Sequence, residues 1–171
     1  MQFFTAKSLL YVRIVFLIAL TFFLVKDSEL IFMSGFVILL GQAMELPHAR
    51  IDPNNPLLGV LAIAFGSLAV TDVVPLIANN LDYFESVVPV RLTIAFGIAC
   101  YTYFFKDSPI SNGFVFTYAF FEIWLNFIIF NNLRDEKYYR VKQYIEENAE
   151  AIRQAHDDQV RVSSTDDRYP Q

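Results

Sequence analysis

The sequence predicts an all-α fold: a polytopic helical membrane bundle of five apolar helices, four or five of them spanning, with a C-terminal cytosolic helix. Three observations carry this reading. First, 55% of the 171 residues are hydrophobic and the mean hydropathy is +0.39, more apolar surface than a single soluble domain of this size can bury. Second, the aromatic residues include 18 Phe and 9 Tyr, rings suited to lipid-facing walls and interfacial ends. Third, the apolar residues gather in runs close to the roughly 20 residues that a helix needs to cross a bilayer.

The first run, residues 8–25, is interrupted by Arg13. Its basic start resembles a signal peptide. However, no small-x-small cleavage site follows Val25, where Lys26, Asp27, Ser28 and Glu29 stand instead, so it is expected to remain as a helix. The second run, residues 30–46, is the shortest and crosses only with little tilt. The third, residues 57–81, carries Asp72 and Pro75. The fourth, residues 87–105, has Arg91 near its start, and the fifth, residues 109–133, has Glu122 in its middle. The connections are short: residues 26–29, a Pro-rich loop at 45–56, residues 82–89 and residues 106–108. Short links force sequential helices to lie antiparallel.

Lys and Arg near the helix ends set orientation. Arg134, Lys137, Arg140 and Lys142 crowd the exit of the last run, which predicts a cytosolic C-terminus. Lys7 and Arg13 favour a cytosolic N-terminus. Two cytosolic ends need an even number of spans, and the second and third runs are the ones that can fail to cross.

Residues 1–133 form the expected transmembrane bundle. In residues 134–156, Tyr138, Val141, Ile145 and Ile152 recur at helical spacing, an amphipathic cytosolic helix whose stripe could dock a partner. The stripe is also compatible with a plain solvated helix. Residues 157–171, rich in Asp, Ser, Thr and Arg, are expected to be disordered.

Ionisable groups inside apolar runs are the informative positions. A charge near the bilayer centre costs roughly 2.5–3.5 kcal/mol on insertion scales, so Asp72 and Glu122 must face the bundle interior and find partners. Asn126 lies one helical turn after Glu122 on the same face. Arg91 joins them as a further candidate member of the polar cluster. Arg13 and Arg91 also stand near enough to their helix ends to reach the interface. This polar cluster of Asp72, Arg91, Glu122 and Asn126 is either a structural lock or the lining of a cavity for an ion, a proton or a lipid headgroup. Pro75 frees a carbonyl near Asp72, as in a kinked helix or a broken ion-binding one.

Several functions lack their residues. The chain shows no phosphate loop and no nucleophile elbow. His48 and His156 lie far apart, so no metal site is expected. Cys100 is a lone apolar residue. The net charge of −5 and the absence of a basic stripe exclude nucleic acid as a partner.

Three stretches resemble a known family: residues 42–47 (QAMELP); residues 71–77 (TDVVPLI) with 79–92 (NNLDYFESVVPVRL); and residues 122–127 (EIWLNF), continuing to Asn131, Arg134 and Glu136. They resemble the fungal "increased loss of mitochondrial DNA" protein family over most of residues 8–140, most specifically at 86–91 (SVVPVR). The resemblance implies a multi-pass endoplasmic reticulum membrane protein and a phenotype of unstable mitochondrial DNA. It implies no reaction, cofactor or catalytic residue. The expected function is therefore a non-enzymatic structural or accessory membrane subunit, partnered by the bilayer and by another membrane protein, with an indirect role in mitochondrial DNA maintenance. The alternative is a lipid- or ion-handling bundle.

Overall fold

The structure, a computed structural model, describes residues 5–49, 52, 55–150 and 153. Among them the chain is helical, with six helices in order: α1 (Ala6–Lys26), α2 (Ser28–Phe32), α3 (Gly35–Ala43), α4 (Pro56–Ile77), α5 (Leu81–Phe104) and α6 (Gly113–Glu147). Four of these, α1, α4, α5 and α6, are long and apolar enough to cross a membrane. The chain divides into two units, Met1–Leu133 and Arg134–Gln171. Ile152, His156 and the expected disordered residues 157–171 lie outside the described residues.

Apolar packing in the first unit forms two clusters. One joins Ala6, Leu10 and Ile14 of α1 with Leu76 of α4, Phe84 and Val88 of α5, and Ile129 and Leu133 of α6. The other joins Leu17 and Leu24 of α1 with Leu58, Ala62, Phe65 and Ala69 of α4, Phe114 of α6, and Ile31, Phe32 and Val37. Helices α1 and α5 therefore start at the first cluster, whereas α4 and α6 run towards it. The start of α1 and residue 133 lie at one end of the unit, and the α3–α4 and α5–α6 connections lie at the other.

The second apolar run is not one helix. Ser34 interrupts it: its extended backbone and its hydroxyl, which accepts from the Val37 amide at 3.3 Å, start a new helix. The resulting α2–α3 hairpin returns to the end at which it began. Its Phe32 ring meets Phe114 at 4.8 Å, and Phe36 meets Phe121 at 5.2 Å. Five continuous helices were expected from five runs. The capping serine splits the second run into two short helices, which corrects the helix count, and the four long helices are the candidate spans within the four or five expected.

Helix ends explain the tight connections. After α4, Asn79 takes a left-handed conformation (φ 54°), which asparagine tolerates. Its amide donates to the Leu76 carbonyl, and the Asn80 amide donates to the Pro75 carbonyl, the 5→2 and 6→1 bonds of a Schellman cap. Asn80 then caps α5 by accepting from the Tyr83 amide at 3.1 Å. Helix α5 therefore starts at Leu81, earlier than the expected residue 87, and Pro89 lies inside it. Pro75 likewise lies inside a continuous α4. A second cap of the same kind ends α3, with Glu45 at φ 54° and the Leu46 amide donating to the Gly41 carbonyl at 2.8 Å. Lys106 donates to Glu45 Oε2 at 2.7 Å; this bond and the ammonium charge hold the exposed Glu45 carboxyl below its ordinary value.

Glycine permits the closest helix approach. A Cβ on Gly41 would stand 3.2 Å from the Gly113 Cα, so α3 seats directly on the start of α6, where the Gly113 amide also donates to the Pro47 carbonyl at 3.1 Å. A Cβ on Gly66 would stand 3.6 Å from the Thr21 Cγ2, so the small-residue face of α4 meets α1 there.

Gly41→Val is expected to cost about 1–3 kcal/mol by overpacking against a backbone that cannot yield. Gly59→Ala, in open space, should leave the melting temperature unchanged or slightly higher. Thermal unfolding of both variants in the same detergent checks the contrast.

Candidate functional site

Each long helix places a polar side chain in the stripe that it buries. In α1 the stripe is Ala6, Leu10, Arg13, Ile14, Leu17 and Leu24; in α4 it is Leu58, Ala62, Phe65, Ala69, Asp72 and Leu76. Steps of three and four keep each set on one face. In α5, Arg91 falls at that spacing between the buried Val88 and Ala95. In α6, Glu122 and Asn126 fall between Ala119 and Ile129. The outer faces of these helices are apolar too, so the polar residue identifies the inward one.

The four helices meet at these groups. Arg13 donates from Nε to Glu122 Oε2 at 3.1 Å and from Nη2 to Glu122 Oε1 at 3.0 Å. Its Nη1 donates to Asp72 Oδ2. Arg91 Nη2 lies 2.6 Å from Asp72 Oδ1. Within α6, the Tyr118 hydroxyl donates to Glu122 Oε1 at 2.9 Å, and Asn126 Nδ2 donates to Glu122 Oε2 at 2.6 Å. Arg13 is 2% exposed and Asp72 and Asn126 are 0% exposed, so water contributes almost nothing to their solvation. Two guanidiniums and two carboxylates balance, which removes the electrostatic reason for any of these charges to leave the interior.

Sequence reasoning placed Asp72, Arg91, Glu122 and Asn126 in one cluster, and the structure brings all four together. It overturns the expectation that Arg13 reaches the interface. Carboxylates on two other helices solvate the guanidinium better than a stretched side chain at the membrane edge can. Tyr118 was missed as well, although its position one turn before Glu122, mirrored by Asn126 one turn after, signals it.

Chemically, the site is occupied by itself. Glu122 accepts two donors on each oxygen, which fills its acceptor capacity. Asp72 has a guanidinium on each oxygen. With both carboxylates committed and two positive charges alongside, the cluster is unsuited to hold a metal cation. A cavity of about 290 Å³ adjoins the network, lined by Arg13, Arg91, Tyr118 and Glu122 and otherwise by apolar side chains. Arg91 Nη1, Asp72 Oδ1 and Asn126 Oδ1 are buried without a hydrogen-bond partner.

The proposed docking stripe lies in the second unit. Tyr138, Val141 and Ile145 are exposed along α6, and Lys142 Nζ stands 3.8 Å from Glu146.

Comparison with known proteins gives the chain its family. Residues 4–143 match the family model of Increased loss of mitochondrial DNA protein 1. The chain is 34% identical over 165 residues to Protein ILM1 of Saccharomyces cerevisiae, covering 94% of this chain and 81% of the relative. It is 28% identical over 119 residues to Protein ilm1 of Schizosaccharomyces pombe, covering 68% and 74%. No solved structure matches. The chain belongs to the Increased loss of mitochondrial DNA protein 1 family.

Arg13→Met leaves two carboxylates facing a single guanidinium and should cost about 3–5 kcal/mol. Adding Glu122→Gln should recover most of that loss, because the Arg91–Asp72 pair then stands alone and balanced. Adding Asp72→Asn should not, because Arg91 and Glu122 are left without each other. Unfolding curves of the three variants give the ordering.

Proposed function

We propose that this family member is a non-enzymatic, multi-pass protein of the endoplasmic reticulum membrane, acting as a structural or accessory subunit with an indirect role in mitochondrial DNA maintenance. The observation that carries the reading is the charge-balanced network of Arg13, Asp72, Arg91 and Glu122. Glu122 is filled by Arg13, Tyr118 and Asn126, and Asp72 is ion-paired to both guanidiniums, so among the described residues both acids are committed to holding helices together, which supports a structural part over that of a base. The names of the relatives supply the link to mitochondrial DNA. Charge supports indirect action: the net charge is −5 and the sequence has no basic stripe to neutralise phosphates, so influence on mitochondrial DNA would pass through partners or lipids.

Orientation follows from where the cations stand. Lys7 lies at the end where the chain leaves the first unit at Leu133, directly before Arg134, Lys137, Arg140 and Lys142. Lys26 and Lys106 lie at the opposite end. The excess supports a reading with both termini in the cytosol, which four spans would satisfy. The exposed Tyr138, Val141 and Ile145 would then face cytosolic or membrane-bound partners.

In cells lacking their own copy, the network variants Asp72→Asn, Glu122→Gln and Arg13→Met should retain mitochondrial DNA in proportion to the folded protein in the membrane. Quantitative DNA measurement set against protein level tests this. A variant present at wild-type level that still loses the DNA would give the charges a direct part in the function and defeat the structural reading.

The chain carries no natural Asn-x-Ser/Thr site, so introduced sites report cleanly. A long glycosylatable linker inserted after Ser108 should be modified in the endoplasmic reticulum, and the same linker after Gln171 should not. Modification of the second would reverse the orientation.

A further inference from the structure

Beyond Leu133, α6 continues to Glu147 and carries an apolar stripe: Tyr138, Val141 and Ile145 are each at least half exposed. In the sequence Asn148, Ile152 and Ala155 extend the series, so its steps alternate three, four, three, four, three. That alternation has a period of about 3.5 residues, the repeat that keeps a stripe facing one other helix as the two coil together. The order of the steps fixes the register. Tyr138, Ile145 and Ile152 take the a positions of a heptad, and Val141, Asn148 and Ala155 take the d positions.

The residues beside the stripe choose the partner. In this register Lys137 and Lys142 stand on its two sides, where paired helices exchange charges, and both are exposed. The acids Glu136, Glu146, Glu147 and Glu150 fall on the outer positions. Lys142 Nζ stands 3.8 Å from Glu146, an exposed pair of little strength, so it yields readily to an acid across the seam. Asp135, the other charge beside the seam up to Ala151, would meet the counterpart of Phe130 and finds no opposite charge there.

A second copy fits this pattern poorly. Two copies in one membrane run in the same direction, and a parallel pair sets Lys137 of each against Lys142 of the other. Like charges at these positions oppose pairing. The bilayer surface fits poorly as well. A helix that lies on it has a polar face rich in Lys and Arg, whereas residues 134–150 carry four cations and five acids. A helix with acids on both sides of its own apolar seam turns each of the two repulsions into an attraction.

We propose that the stripe beginning at Tyr138 pairs, as a parallel two-stranded coiled coil, with a helix of another protein that carries Glu or Asp beside its seam, opposite Lys137 and Lys142. Asn148, the one amide on the stripe, sets the register by meeting a polar residue of the partner. The inference rests on the accessory role proposed above and gives that role its kind of partner.

The test uses the full chain in phosphatidylcholine nanodiscs. Three labelled synthetic helices share the same apolar heptads and carry Glu, Gln or Lys at every flanking position, and fluorescence anisotropy reads their binding. The Glu helix should bind about tenfold tighter than the Lys helix, with the Gln helix between them. Ile145→Asp, at an exposed position, should abolish the binding. Lys137→Glu combined with Lys142→Glu should reverse the preference, a result that a misfolded chain cannot give. Equal binding of the three helices, or binding that survives Ile145→Asp, overturns the proposal. Energy transfer between two labelled copies of the chain that Ile145→Asp removes would make a second copy the occupant. Quenching of a label on Val141→Cys by nitroxide lipid headgroups would make it the bilayer. In cells, Ile145→Asp should keep the protein at its wild-type level and lose mitochondrial DNA. Full retention of the DNA despite lost helix binding would leave the docking surface standing and take away its part in the accessory role.

Discussion

A guanidinium buried among apolar helices has no water to stabilise it, and in this protein Arg13 is where that constraint is met. It holds Glu122 with a two-pronged contact and Asp72 with its remaining nitrogen, which ties α1 to α4 and α6 through one side chain. Asp72 then draws in α5 through Arg91. Apolar packing alone could not fix this arrangement, because lipid chains are as apolar as Leu and Phe and provide little preference for one register over another. The charges do. They stand between two apolar clusters, and sliding any helix by a turn would pull a carboxylate away from its guanidinium. Close contacts such as Gly41 on Gly113 and Gly66 on Thr21 add shape to what the charges align.

Much of this was readable before any coordinates. The run lengths identified the four long helices, because length and hydropathy are properties of the chain alone. Asp72, Glu122 and Asn126 pointed inward because no other environment tolerates them. The failures have specific physical causes. Arg13 has a long flexible stem and stands near a helix start, and the sequence does not reveal that two acids lie on the facing helices. Ser34 is a single polar residue in an apolar run, and whether it caps a helix or lies within one depends on the backbone around it. Pro89 resembles a breaker, yet α5 already starts at Leu81, where the Asn79–Asn80 cap turns the chain. Proline inside a membrane helix loses one bond and leaves the rest of the helix intact.

The stretches that carry the family resemblance are those with geometric work to do. Residues 42–47 contain the Glu45 cap of α3 and the Pro47 carbonyl that receives Gly113. Residues 71–92 contain Asp72, the whole α4–α5 cap and Arg91. Residues 122–127 contain Glu122 and Asn126. A resemblance concentrated on caps and buried charges, rather than on an exposed cleft, is what a shared scaffold produces.

The network is nonetheless asymmetric, and the asymmetry has a direction. Arg13 has donors directed at both acids, whereas Arg91 touches only Asp72 and keeps Nη1 unpaired. The helix that carries Arg91 is also the one with the smallest buried share, anchored at its start by Phe84 and Val88 and, beyond Arg91, by Ala95 and Thr102 alone. A helix held by one ion pair and one end can be displaced at smaller cost than its neighbours, since moving it breaks a single contact to Asp72 and leaves the Arg13 contacts intact. Whatever occupies the space beside α5 therefore acts on the least constrained part of the unit. The unpaired nitrogen and the weak wall belong to the same helix: Arg13 takes both Glu122 oxygens and one Asp72 oxygen, which leaves α5 the single Arg91–Asp72 pair.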